Sequence, residues 1–159
     1  MLGAVVSFVG MAIAARELSA ELDAVQILFW RSFAGALLMP ALLYFYGWKQ
    51  VKSSRYVMQF SRGALHCVAQ CGWLFGITMI PLAEVFALEF TTPIWTVVFA
   101  ALFLGERLSL ERIAAVVIGF VGVLLILRPG TQIVDVASVV VLGSAALYAI
   151  TYVMVRSLA

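Results

Sequence analysis

The sequence predicts an all-α membrane protein, a bundle of helices that each cross a lipid bilayer. Of its 159 residues, 65% are hydrophobic and only 11% are charged, and the mean hydropathy is +1.12. A soluble domain of this length could not bury so much apolar surface, so we expect the bilayer to be the solvent of this chain. The second observation is that apolar runs recur along the chain with short polar breaks between them. Most of these runs approach the roughly 20 residues that a transmembrane helix needs.

Six membrane spans are predicted in chain order. The first apolar run is short for a span, and a signal peptide is the alternative, but it lacks a basic start and another span follows almost at once. We therefore expect the sequence to begin inside its first helix. Gly105 is expected to end the fourth span, and Ser109 is expected to cap the fifth. The predicted spans are residues 1–15, 25–46, 63–80, 82–104, 112–127 and 134–155.

The stretch Pro81–Arg107 holds the strongest sign of a polar site. Its apolar core contains Glu89, and a carboxylate inside a membrane span usually faces a bundle interior or a wet cavity. Pro93 cannot donate a hydrogen bond to the carbonyl of Glu89, which leaves that oxygen open to another partner. Thr92 and Thr96 add two hydroxyls along one face of the same helix. We interpret this span as one that holds a polar ligand.

The distribution of lysine and arginine residues predicts the orientation of the chain. The loops after the second, fourth and sixth spans hold seven of these residues, and the loops after the other spans hold two. Because basic loops stay in the cytoplasm, we expect a multi-pass protein of the inner cell membrane with a cytoplasmic N-terminus. Trp48 is expected to belong to an aromatic belt at the end of the second span. The seven residues are Lys49, Lys52, Arg55, Arg62, Arg107, Arg112 and Arg156, and the two are Arg16 and Arg128.

The two ends of the chain resemble each other. When Met1–Ser19 is laid over Val141–Ala159, four positions are identical, including one pair of arginines. This offset leaves five spans in each copy, so the second copy would be inverted in the membrane, as in many secondary transporters. We expect residues 1–130 to form a first repeat and residues 131–159 to begin a second. The chain would then be a fragment of a longer protein.

Three segments are similar to one transporter family. They are FWRS at Phe29–Ser32, RGALHCVAQCGWLFGITMIPLAE at Arg62–Glu84, and the run from Pro81 to Gly130 with its LGERLSLER turn and IGFVGVLLILRPG helix. In these segments the chain resembles EamA-type permeases of the drug/metabolite transporter superfamily. The resemblance implies ten helices in two inverted five-helix repeats, two cytoplasmic ends, and a central cavity for uptake or export of small metabolites. It selects none of the amino acids, vitamins, nucleotide-like compounds and drugs that the family carries.

Polar residues on three spans are expected to meet in the outer half of the membrane. At about 1.5 Å per residue, Arg31 and Glu89 each lie about 9–10 Å below the outer surface, and Trp73 lies at a similar level. We predict that Arg31 and Glu89 are neighbours, because either charge alone in hydrocarbon would be costly. Glu89 and His66 are candidates for proton or ion coupling. The candidate residues of the substrate cavity are Arg31, Gln70, Trp73, Glu89, Thr92 and Trp95.

Each of these residues also has a simpler interpretation. Arg31 and Glu89 could form a purely structural ion pair. His66 lies near the cytoplasmic edge of its span, where an interfacial hydrogen-bonding role is the alternative to a proton relay. Glu84 is interpreted as a solvated carboxylate at the outer surface. The two tryptophans could pack against other helices instead of stacking on a flat substrate.

A transporter of small metabolites is the function that these residues favour. An enzyme is not expected, because the sequence contains no HExxH motif, no Ser/His/Asp set and no paired carboxylates on one helical face. No catalytic residue, metal or cofactor is predicted. The alternatives are a six-span structural or regulatory membrane protein and a dimeric half-transporter. The expected partners are the lipid bilayer and a small-molecule substrate, and the net charge of +2 argues against nucleic acid.

Small residues form two seams that could admit another helix of this chain or of a second copy. A homo-oligomer through these seams is therefore one of the predicted assemblies. Cys67 and Cys71, one helical turn apart, are interpreted as packing residues. The seams are Gly3, Ser7, Gly10 and Ala14 in the first span and Ala115, Gly119 and Gly122 in the fifth.

Overall fold

The structure is a computed structural model that describes residues 2–47, 55–105, 109–127 and 135–158. Within these ranges the regular structure is α-helical throughout, which confirms the predicted all-α membrane bundle. Three described segments are long and apolar enough to cross a membrane, namely Ala24–Phe45, Leu82–Phe103 and Val136–Arg156. The helices are α1 (Leu2–Leu18), α2 (Ala24–Tyr46), α3 (Tyr56–Met79), α4 (Leu82–Glu89), α5 (Thr92–Leu104), α6 (Leu110–Leu127) and α7 (Val136–Leu158).

Helices α3 and α7 form the centre of the bundle. They share the largest interface between described helices, and α7 also packs against α4 and α5. On the outside, α1 and α2 lie against α3, and α6 lies against α4 and α5. The outer helices expose large apolar side chains, for example Leu37 and Leu38 on α2 and Ile118 and Leu125 on α6. Such surfaces suit a bilayer, because lipid tails are as apolar as the side chains themselves.

The close approach of α3 and α7 depends on two glycines of α3. Gly72 and Gly76 are four residues apart, and each faces α7 where a methyl group would not fit. A Cβ atom on Gly76 would overlap the side chain of Val141, and one on Gly72 would overlap the hydroxyl of Ser144. Small residues at this spacing let helix backbones approach closely in membranes. The predicted seams lie on other helices, so this contact was missed.

The two predicted small-residue seams are open within the described part of the chain. An added Cβ atom would have no neighbour within 4 Å at Gly3 or Gly10 of α1, nor at Gly119 or Gly122 of α6. The α6 seam borders an apolar groove of about 530 Å³ between α6 and the α4–α5 segment. Homo-oligomerisation through these faces stays a prediction.

The fourth predicted span is interrupted, whereas one continuous helix over residues 82–104 was expected. Helix α4 ends at Glu89 and α5 begins at Thr92, with Phe90 and Thr91 in a turn between them. The turn is tight, because the amide of Thr91 donates to the carbonyl of Leu88, three residues back, at 3.1 Å. Pro93 has no amide hydrogen and cannot bond to a carbonyl in α4, which explains why the regular ladder fails here. The interruption directly follows Glu89.

Helix α3 begins seven residues before the predicted span 63–80. The predicted loop 49–62 was too long because its last polar residues are satisfied within the helix. The Ser61 hydroxyl donates to the carbonyl of Met58 at 3.1 Å, and Arg62 Nε donates to Gln59 Oε1 at 3.2 Å. Residues 49–54 of this predicted loop lie outside the described residues, as do the aromatic and basic residues Trp48, Arg107 and Arg128.

Two predicted helix boundaries are confirmed. Gly105 follows α5 with φ 64°, a left-handed conformation that glycine adopts without steric cost. Ser109 directly precedes α6, and its carbonyl accepts the amide of Ile113 at 3.1 Å. These boundaries depend on local chemistry, which explains why they were predictable.

Arg16 joins the end of α1 to the end of α3. Its guanidinium Nη1 donates to the carbonyl of Ile77 and, at 2.6 Å, to the carbonyl of Ile80. These carbonyls lie in the last turn and cap of α3, where no further helical amide can reach them. A cation at a helix C-terminus is also favoured by the helix dipole. Arg16 therefore holds the α3–α4 connection against α1.

Replacing Arg16 by methionine is expected to lower thermal stability. Methionine keeps much of the apolar stem but removes both charge-assisted hydrogen bonds, which are worth about 1.5–3 kcal/mol each. The melting temperature of the detergent-solubilised protein measures this loss. The exposed neighbour Glu17 supplies a control, since Glu17→Gln should leave the melting temperature unchanged. Equal melting temperatures for the two variants would show that the α1–α3 bridge contributes nothing.

Candidate functional site

A cavity of about 950 Å³ opens beside the interruption between α4 and α5. Helix α1 forms one wall, the α4–α5 segment forms a second, and α7 contributes one residue. Most of the lining is apolar, but four polar side chains converge on it. The lining residues are Val5, Phe8, Val9, Phe86, Glu89, Phe90, Thr92, Pro93, Thr96, Val97 and Tyr152.

Glu89 brings the charged group of this cavity. It is the last residue of α4, and its side chain is half-buried. The indole Nε1 of Trp73 donates to Glu89 Oε2 at 2.7 Å. Trp73 is itself only 2% exposed, so it donates to the carboxylate from the interior of the bundle. This hydrogen bond offsets part of the cost of holding a carboxylate within the bundle.

Aromatic rings surround the carboxylate on the α1 side. The ring of Phe8 lies 5.6 Å from that of Trp73, measured between centroids, and 5.8 Å from that of Phe86. Phe8 and Phe86 line the cavity, whereas Trp73 lies behind them. These tilted pairs have the separation at which aromatic rings attract each other. The described lining of the cavity therefore places aromatic rings on the same side as the carboxylate of Glu89.

Two threonines of α5 contribute to the opposite wall. Thr96 Oγ1 donates to the carbonyl of Thr92 at 2.8 Å, as threonines within helices often do. Thr92 is only 8% exposed, and its own hydroxyl has no hydrogen-bond partner among the described residues. This oxygen has almost no accessible surface, so Thr92 lines the cavity with its other atoms and not with its hydroxyl.

The predicted ion pair between Arg31 and Glu89 is not formed. Arg31 Nη1 instead donates to the sulfur of Met11 on α1 at 3.2 Å, and Glu89 bonds to Trp73. Helix α2 packs mainly against α3, and it is α3 that packs against α4. Trp73 of α3, and not Arg31 of α2, therefore lies next to Glu89. Matched depth in the membrane was therefore insufficient to make these residues neighbours.

The other predicted site residues divide between the cavity and its surroundings. Thr92 lines the cavity, whereas Gln70, Arg31 and Trp95 do not. Trp95 stacks on Phe99 with centroids 5.9 Å apart. The ring of His66 meets Tyr148 of α7 edge-on at 5.1 Å.

Glu84 has a partner that the sequence did not reveal. Ser138 Oγ, in the first turn of α7, donates to Glu84 Oε1 at 2.7 Å. Glu84 is half-buried and was expected to be a solvated surface carboxylate. The difference arises because α7 packs against α4, which brings the start of α7 to this carboxylate. This contact links α4 and α7, which both contribute residues to the lining of the cavity.

Nine of the eleven lining residues were absent from the predicted set, including the aromatic residues Phe8, Phe86, Phe90 and Tyr152. An aromatic residue in a membrane helix is usually a packing residue, so sequence alone gave no reason to select them. Tyr152 could have been noticed, because it follows Tyr148 by one helical turn on the last helix.

The fold and this cavity define a class, helical membrane proteins with a largely apolar pocket that contains a carboxylate beside an interrupted helix. The chain belongs to the EamA-like transporter family, whose sequence profile matches residues 1–128. No solved structure matches the chain significantly.

Several curated transporters are similar to this chain. The S-adenosylmethionine uptake transporter of Rickettsia felis is 26% identical over 117 residues, which cover 74% of this chain and 40% of that protein. The riboflavin transporter of Brucella anthropi is 30% identical over 137 residues, which cover 86% and 48%. The pseudopaline exporter CntI of Pseudomonas aeruginosa is 34% identical over 116 residues, which cover 72% and 40%. The matched part of this chain thus spans less than half of each relative.

Proposed function

We propose that this chain forms part of a carrier that moves small organic metabolites across the inner cell membrane. Its family membership supports this, as do relatives that are named as uptake transporters and as an exporter. We further propose that residues 1–130 are the first repeat of a ten-helix carrier and that residues 131–159 open an inverted second repeat. The proposal is supported by the 40–48% of the relatives' length that the matches span.

The observation that carries the proposal is the cavity beside Glu89. Its volume of about 950 Å³ falls within the range of small-molecule sites, about 300–1,000 Å³. It joins a carboxylate and aromatic rings at an interrupted helix, and transporters bind substrates at such interruptions. Ionisable residues inside membrane spans are rare and usually mark the pathway of a substrate or an ion. We therefore infer transport as the role of the site.

Flux measurements on the full-length carrier in liposomes test this function. A panel of radiolabelled metabolites that includes S-adenosylmethionine and riboflavin is expected to contain at least one compound with saturable uptake. Glu89→Gln should reduce this uptake at least about tenfold, the effect of losing a hydrogen bond to a charged group. Glu17→Gln, an exposed change on α1, is the matched control. Flux no greater than that of empty liposomes for every compound contradicts the proposal.

We also propose that the N-terminus is cytoplasmic, on the basis of the basic loops. Cysteine introduced at Ser53 should then react with an impermeant maleimide only after the cells are opened, and cysteine at Gln132 should react in intact cells. Both positions lie outside the described residues. The parent for this experiment is the variant in which Cys67 and Cys71 are replaced by serine. Reversed labelling of the two positions would overturn the orientation.

A further inference from the structure

We propose that the cavity beside Glu89 selects organic cations that carry a flat aromatic ring. The inference rests on the proposed function, because it takes this cavity to be the place where a transported molecule binds. It goes further by assigning the chemical class of that molecule.

The charge of the cavity is the first argument. Among the described lining residues, Glu89 is the charged one, and no described basic side chain lies within ion-pair distance of it. Trp73 donates a hydrogen bond to Glu89 Oε2, and no described residue donates to Oε1. Arg31, which the sequence predicted to be the neighbour of Glu89, donates instead to the sulfur of Met11. A carboxylate in a membrane interior is costly without a compensating positive charge, and a cationic ligand supplies one that the described residues do not.

The aromatic wall is the second argument. Phe8, Phe86, Phe90 and Tyr152 contribute ring surfaces to the same cavity. Aromatic faces attract a cation through their quadrupole, and they stack with a flat ring of the ligand. Phe8 and Phe86 are held by ring contacts of their own, so little conformational freedom is lost when a ligand binds. The wall therefore favours a planar ligand over an aliphatic one of equal size.

The carboxylate also disfavours ligands of other charge. An anionic ligand would meet Glu89 with like charge. A neutral ligand would leave the carboxylate without a counter-charge.

Four small probes of similar size test the selectivity. Tryptamine is an aromatic cation, tryptophol is its neutral counterpart, indole-3-acetate is its anionic counterpart, and 2-cyclohexylethylamine is a cation without an aromatic ring. Calorimetric titration of the purified full-length carrier should give tryptamine the lowest Kd. We expect it to bind about tenfold more tightly than tryptophol and several-fold more tightly than 2-cyclohexylethylamine.

Two variants separate the contributions. Glu89→Gln keeps an acceptor for Trp73 but removes the charge, so the preference for tryptamine over tryptophol should vanish. Glu84→Gln, a carboxylate outside the cavity lining, should keep that preference. Equal or tighter binding of tryptophol or indole-3-acetate to the unmodified carrier would overturn the inference, as would a cation preference that survives in Glu89→Gln. Failure of all four probes to bind, with saturable flux of another compound in liposomes, would also overturn it while leaving the transport function intact.

Discussion

Replacing Gly76 by alanine is expected to destabilise the protein, although the same change in most helices is stabilising. The added methyl group would overlap the side chain of Val141, which is fully buried in the α3–α7 interface. Overpacking of this kind typically costs about 1–3 kcal/mol of the free energy of unfolding. Alanine otherwise favours a helix over glycine by about 1 kcal/mol. A fall in the melting temperature therefore reports packing and not helix propensity.

Controls make this result specific to the interface. Gly119→Ala on α6 introduces the same methyl group where nothing lies within 4 Å, so its melting temperature should stay equal or rise slightly. In the Gly76→Ala background, Val141→Ala should restore part of the lost stability, because it removes the overlapping group. If Gly76→Ala and Gly119→Ala behave alike, α3 and α7 do not approach each other as closely as the structure has them.

Separating Trp73 from Glu89 is expected to have the second large effect. Trp73→Phe keeps an aromatic ring beside Phe8 but removes the indole donor to the carboxylate. An unsatisfied buried carboxylate costs about 1–3 kcal/mol or more, so the melting temperature should fall. Glu89→Gln retains an oxygen that accepts from Trp73, so this variant should keep its melting temperature and lose most of its transport.

A double-mutant cycle checks which residue is the partner of Glu89. The stability losses of Trp73→Phe and Glu89→Ala should couple by at least about 0.5 kcal/mol, because the two side chains are in contact. Those of Arg31→Ala and Glu89→Ala should add, because these side chains bond to different residues. Coupling between Arg31 and Glu89, with additivity between Trp73 and Glu89, would reverse the assignment of partners.

The site was predicted from the cost of a charge in hydrocarbon, and its role in binding stays a prediction. That cost identified Glu89 directly, and the proline four residues later pointed to a disturbed backbone at the same place. From the sequence we expected only that the carbonyl of Glu89 would lack its helical hydrogen bond. In the structure, one helix ends at Glu89 and another begins at Thr92. Whether a proline kinks or breaks a helix depends on its neighbours, which the sequence does not reveal.

The contacts between helices could not be predicted in the same way. Arg31 and Glu89 were expected to pair because their depths match, but depth leaves rotation about the helix axis and the choice of neighbour undetermined. The glycine contact at Gly76 was missed for the same reason, since seams of small residues occur on several helices and only one of them is packed closely in the described chain.

By itself, the sequence determined that this protein is a bundle of membrane helices, approximately where each helix lies, and which residue carries charge into the interior. Those properties follow from apolar length and from the cost of burying a charge, and both can be evaluated one segment at a time. The tertiary structure alone decided that Trp73 is the partner of Glu89, that Phe8 and Tyr152 line its cavity, and that α7 packs against α3. These pairings depend on which helix faces are in contact, because lipid is as apolar as the side chains and gives each face little preference of its own.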